Sequence, residues 1–140
     1  MTKFESSIKT IASPQESVYN LLSDLTHLES FKEQIPQDLI KDLSFDEDTL
    51  TLSVAPVGKI FFHLVERNPY SCIKFQASNA PVPLNLWIQI VAVDENNCKA
   101  KVTAGLEVNP FMKGMIQKPI KDGLEKMIEL LARLPYEPIK

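Results

Sequence analysis

The sequence predicts an α+β domain: one half-buried strand, two short helices, about six antiparallel strands and a long last helix that covers one sheet face. Three observations carry this. From Leu39 to Val108 apolar residues recur at every second position between short turns, the period of antiparallel strands with one buried face. From Asn109 to Leu134 the period becomes that of an amphipathic helix. Ahead of both, an alternating segment runs into a helix start at Ser13-Pro14. Strands grouped together and bracketed by helices indicate α+β rather than an alternating parallel sheet.

In residues 3–12, Phe4, Ser6, Ile8, Thr10 and Ala12 share the inner phase, and Lys3, Glu5, Ser7 and Lys9 the outer one. Ser13-Pro14-Gln15-Glu16 then reads as a capping box, with serine as N-cap and proline at the first helical position. The helix behind it buries Val18, Leu21, Leu22 and Leu25. A second box, Thr26-His27-Leu28-Glu29, starts a short helix that gathers Leu28, Phe31 and Ile35 and stops before Pro36.

The strands follow in order. Leu43 and Phe45 lead into the turn Asp46-Glu47-Asp48; Leu50, Leu52 and Val54 alternate up to Pro56-Val57-Gly58. Ile60, Phe62 and Leu64 run to the turn Arg67-Asn68-Pro69-Tyr70, and Ile73, Phe75 and Ala77 to the stiff connection Asn79-Ala80-Pro81-Val82-Pro83. Leu84, Leu86, Ile88 and Ile90 end at the hairpin turn Asp94-Glu95-Asn96-Asn97, after which Ala100, Val102, Ala104, Leu106 and Val108 complete the last strand.

The final helix has Asn109 as N-cap and Pro110 in its first turn. Its apolar face reads Met112, Met115, Ile116, Pro119, Ile120, Gly123, Leu124, Met127, Ile128, Leu131 and Leu134, and so holds three of the four methionines. Pro119 inside the helix costs about 3 kcal/mol relative to alanine, and Gly123 up to about 1 kcal/mol. Such residues on a buried face point to a bend, or to room left between helix and sheet. The tail Pro135-Tyr136-Glu137-Pro138 cannot continue the helix.

A chain of 140 residues suits one domain spanning 1–140, large enough to fold without disulfide or metal. A net charge of −3 disfavours nucleic acid and an anionic membrane as main partners, since binding to either needs a basic field. Cys72 and Cys98 lack metal-ligand spacing and read as reduced thiols. Neither a signal peptide nor a membrane-span-length apolar run is seen, so the expectation is a cytoplasmic protein without stable membrane insertion.

The order of elements, with Ser13-Pro14 followed by Val18-Tyr19, Leu22 and Asp24, and the closing Asn109-Pro110 helix, resembles the START-like superfamily. This group includes Bet v 1, polyketide cyclases and lipid-transfer domains, and the chain looks most like its short bacterial members. The resemblance covers essentially the whole chain. It implies the helix-grip fold, a curved seven-stranded antiparallel sheet wrapped round the C-terminal helix. Members hold lipids, sterols, polyketides or plant metabolites in the enclosed cavity, some as enzymes and some as carriers. The glycine-rich loop of plant members has no counterpart between the middle strands here.

The expected function is therefore binding or transport of a small apolar ligand: a lipid, isoprenoid or aromatic metabolite. Candidate lining residues are Phe62, Leu64, Phe75, Leu86, Ile88 and Val102 from the sheet, with Met112, Met115, Ile116, Pro119 and Ile120 from the helix. Glu66 continues the inner phase of Phe62 and Leu64, which would bring a carboxylate to the cavity mouth, where burial raises its pKa. Otherwise the strand ends there and Glu66 pairs with Arg67 or a lysine. An alternative cyclase- or dehydratase-like enzyme would draw on Glu66, Ser6, Thr10 and Tyr19. His63 falls in the outer phase, His27 in the second capping box and Glu107 in the outward phase. No catalytic, metal-binding or cofactor constellation is legible. A further alternative is an interaction module, or a homodimer, through the outer-phase residues Phe61, Val65, Trp87 and Val91.

Overall fold

The computed structural model describes residues 2–23, 44–46, 48–54, 58–80 and 82–133. The second short helix with His27, Glu47, the Pro56-Val57 break, Pro81, Leu134 and the tail lie outside them. The elements are β1 (Thr2–Glu5), β2 (Lys9–Ile11), α1 (Gln15–Leu22), β3 (Ser44–Phe45), β4 (Thr49–Val54), β5 (Gly58–Asn68), β6 (Cys72–Ala77), β7 (Leu84–Ala92), β8 (Cys98–Leu106) and α2 (Pro110–Arg133). The strands form one antiparallel sheet in the order β1-β8-β7-β6-β5-β4-β3, and β2 also pairs with β8. Because β1 and β2 are two halves of one edge strand, the sheet is seven strands wide, with the long C-terminal helix as predicted.

That edge strand is broken by a bulge. Phe4 faces Ala104 and Glu5 faces Thr103, but Lys9 faces Ala100, so Ser6, Ser7 and Ile8 stand opposite only Lys101 and Val102. The Ser6 amide donates to the Val102 carbonyl at 2.9 Å, and the Val102 amide donates to the Ser6 hydroxyl, also at 2.9 Å. A side-chain oxygen thus replaces the missing backbone acceptor. The extra residue reverses the alternation. Ile8 is 63% exposed, Thr10 and Ala12 are exposed, and Ile11 is buried instead, correcting the inner phase expected for Ile8, Thr10 and Ala12.

A second bulge sits in β5. Leu64 pairs with Phe75 but Glu66 pairs with Lys74, leaving Val65 as the extra residue. Glu66 therefore takes the outer phase and is exposed, not on the inner phase that Phe62 and Leu64 predict for it. Arg67 inherits the inner phase. Its guanidinium donates to the Ser23 carbonyl at the end of α1, at 3.3 and 3.2 Å, and pairs with Asp48 at 3.2 Å. A cation thereby serves the carbonyl end of a helix.

The start of α1 also differs by one position. Its N-cap is Pro14, with ψ 148° and no side-chain cap hydrogen bond, rather than Ser13. The start of α2 is as expected: the Asn109 side-chain oxygen accepts from the Met112 amide at 2.8 Å.

The core lies between the inner sheet face and the two helices. Leu64, Phe75, Leu86, Ala104 and Phe4 stand in register across five strands, and Ile73, Ile88 and Val102 form the next row. All are buried, and burial of each large side chain stabilises the fold by about 1.5–3 kcal/mol relative to exposure. Val18, Tyr19, Leu21 and Leu22 of α1 pack over β6 and β7. Leu124, Ile128 and Leu131 of α2 pack over β8, β1 and β2.

Candidate ligand-binding site

Strand alternation places all six sheet candidates on one face. Phe62, Leu64, Phe75, Leu86, Ile88 and Val102 are all buried. Leu64, Phe75 and Leu86 are direct neighbours on β5, β6 and β7, and Ile88 and Val102 are neighbours on β7 and β8. The helix candidates divide. Ile116 and Ile120 are half-buried against the core, and Met112 is half-buried as well. Met115 is 67% exposed and Pro119 is exposed. Gly123, expected on the apolar face, is exposed too, and a Cβ there would meet nothing within 4 Å. The reason is the helical step of about 100° per residue. The eleven residues read as one face spread too widely for all of them to touch the sheet.

The polar candidates do not converge. Glu66 and Thr10 lie outside. Ser6 is buried, but its hydroxyl accepts from Val102 and donates to the Ser7 carbonyl at 2.9 Å. Tyr19 is buried with its ring edge-to-face against Tyr70, centroids 5.5 Å apart. His63 is half-buried on β5, with Nδ1 3.2 Å from the Thr49 hydroxyl. Glu107 is exposed. Both cysteines are free thiols; burial pushes the pKa of each upward, with Glu66 adding to the effect at Cys72. Among the described residues no three His, Cys, Asp or Glu side chains are grouped to hold a metal ion.

The connection after β6 is anchored by a residue whose role the sequence does not announce. The Asn79 side chain accepts from the Phe61 amide at 2.9 Å and donates to the Lys59 carbonyl at 2.6 Å. It substitutes for a backbone rung beside β5. Arg67 was likewise hidden, because the Val65 bulge that turns it inward leaves no mark in the hydrophobic pattern.

On the outer face Trp87 is half-buried, with the ammonium groups of Lys3 and Lys74 at 5.3 and 5.5 Å from its ring centroid. Lys3 reaches it from β1 across Gly105, which faces Lys3 on β8 and has no side chain. Phe61, Val65 and Val91 are 39%, 50% and 65% exposed. Phe61 and Val91 stand at opposite ends of the sheet, roughly 25 Å apart along the strand direction at about 3.4 Å per residue. Gln76, Asn85 and Gln89 occupy outer positions between them.

This arrangement is the fold of START and Bet v 1-like proteins. Norcoclaurine synthase from Thalictrum flavum superposes with a TM-score of 0.74 at 13% identity, over 94% of this chain and 92% of its own. It has also been seen in complex with dopamine and hydroxybenzaldehyde. A START superfamily protein from Mycobacterium smegmatis gives 0.68 at 12% identity, over 93% and 94% of the two chains. A protein from Thermus thermophilus gives 0.64 at 17% identity, over 94% of each. At these identities the likeness is one of fold. No protein-family model and no curated protein sequence matches the chain.

Proposed function

We propose that this protein binds a small apolar ligand, such as a lipid, isoprenoid or aromatic metabolite, between the inner sheet face and α2. The carrying observation is the row Leu64, Phe75, Leu86 and Ala104, apolar and in register across four strands, while α2 packs mainly over the β8, β1 and β2 edge. A cavity lined by such side chains would bind an apolar ligand by burial of the ligand's own surface, at roughly 25 cal/mol per Å². The aromatic pair held by norcoclaurine synthase, which shares the fold, supports a ligand of that size. Binding is favoured over catalysis because the Ser6 hydroxyl is engaged by backbone groups and Glu66 and Thr10 point away. The same reading makes the protein a cytoplasmic carrier.

Native mass spectrometry of the freshly purified protein, followed by organic extraction, tests the reading. A discrete adduct that disappears in Leu86→Trp and in Met112→Trp is the expected result. A bare protein that also ignores apolar fluorescent probes would overturn it.

A further inference from the structure

From Ile60 to Leu64 on β5, Ile73 to Ala77 on β6, Leu84 to Ile90 on β7 and Ala100 to Leu106 on β8, every inner-phase side chain is hydrocarbon. Arg67, the inner-phase cation of β5, lies beyond the Val65 bulge and is turned to the Ser23 carbonyl and Asp48. The helix side has the same character. Ile116 and Ile120 are half-buried against the core, while Lys113, Gln117, Lys118, Lys121 and Asp122 are all exposed. Among the described residues the buried polar side chains are Ser6, Ser13 and Thr103. Ser6 is held by the backbone of Ser7 and Val102, Thr103 donates to Gln89 at 2.8 Å, and Ser13 is engaged as well. The buried Tyr19 packs on Tyr70 in the β5–β6 turn, at the opposite end of the sheet from the start of α2.

We infer that the ligand is a bare hydrocarbon over the part it buries: an alkyl or isoprenoid chain, or an unsubstituted ring system, with any hydroxyl, amine or carbonyl left outside. An oxygen or nitrogen taken in against this face would give up its water and meet only carbon. That is the situation of a polar solute in alkane, which cannot hydrogen-bond, rather than in octanol, which can. The site therefore selects by desolvation, and refuses a ligand of the right shape that gains one hydroxyl. The inference rests on the ligand reading above and narrows it.

The test is displacement of the apolar fluorophore N-phenyl-1-naphthylamine from the full chain by naphthalene and by 2-naphthol, which differ by one hydroxyl. Naphthalene is expected to bind about a hundredfold more tightly. A gap below about thirtyfold, the most that transfer to a hydrogen-bonding solvent gives, overturns the inference, because some group in the site would then be serving the hydroxyl. Tyr19→Phe, checked for folding by circular dichroism melting, should leave the ratio unchanged. A ratio that widens in this variant overturns the inference by making Tyr19 that group. Failure of the ligand reading looks different: neither the fluorophore nor naphthalene is taken up, and both conclusions fall. Uptake that Leu86→Trp abolishes, with a ratio below about thirtyfold, keeps the ligand reading and removes this inference alone.

Discussion

The carboxylate of Glu125 holds both polar hydrogens of Ser7: the amide at 2.6 Å and the hydroxyl at 2.7 Å, across a sequence separation of 118 residues. One turn earlier on the same helix, the Lys121 ammonium donates to the Glu5 carbonyl at 2.7 Å. The last helix thus grips the first strand at its bulge. Glu125→Ala is expected to destabilise the fold by roughly 1 kcal/mol, the lower end for a charge-assisted bond because the site is accessible to water. Urea unfolding measures the loss, and hydrogen exchange at Ser7 should accelerate with it.

Acid should weaken the same contact. The Ser7 hydroxyl, then its amide, hold Glu125 below the ordinary carboxylate range. The hydrogen bond from Lys101 does the same for Glu5, and the amide of Asn96 with the side chain of Asn97 for Asp94. A carboxylate with a depressed folded pKa contributes its full stabilisation above its unfolded value and loses it as pH falls through the folded one. Melting temperature should therefore drop as pH is lowered below about 4.5. Glu125→Gln should show a shallower drop, and an unchanged slope would contradict the assignment.

Ser6→Ala would leave the Val102 amide without its acceptor inside the sheet. The expected cost is about 1–3 kcal/mol in denaturant unfolding, larger than for an exposed serine because the orphaned amide is buried. Ser6→Thr keeps the hydroxyl and should recover part of the loss.

Pro119 and Gly123 offer the opposite outcome. Both are exposed, and nothing lies within 4 Å of a Cβ at Gly123. Gly123→Ala should stabilise the protein by about 0.5–1 kcal/mol, and Pro119→Ala by about 1–3 kcal/mol, through helix propensity alone. Thermal melts decide. A loss of stability in either variant would mean that the helix depends on these residues for a contact or a bend.

Trp87 is the only tryptophan, held between two ammonium groups. Replacing Lys3 or Lys74 by alanine should each cost no more than about 1 kcal/mol. A double-mutant cycle with Trp87→Leu should return most of that as coupling to the ring.

Most of the sheet was legible because alternation is a local signal that survives from turn to turn. It failed at Ile8, Thr10 and Glu66 for one shared reason. A bulge adds a residue without disturbing the pattern on either side, so the phase beyond it reverses unseen. Ile11, apolar at a position the alternation assigned to the outer face, is the one trace of the first slip. The sheet half of the candidate site, Phe62 to Val102, was readable from period two. The helix half was only partly so, because Met115 and Pro119 lie between a buried stripe and an exposed one. Hydrophobicity cannot say which of the two a residue joins.

The grip of α2 on the bulge has a consequence for how the protein behaves among its own copies. The rim of a sheet offers a row of free amides and carbonyls on which a neighbouring chain can lay down another strand. At this rim the Ser7 amide is taken by Glu125 and the Glu5 carbonyl by Lys121, at the place where the backbone also kinks. An incoming strand would find its template interrupted midway. Crowded solutions of this protein are thereby guarded, along this rim, against growth into fibrils.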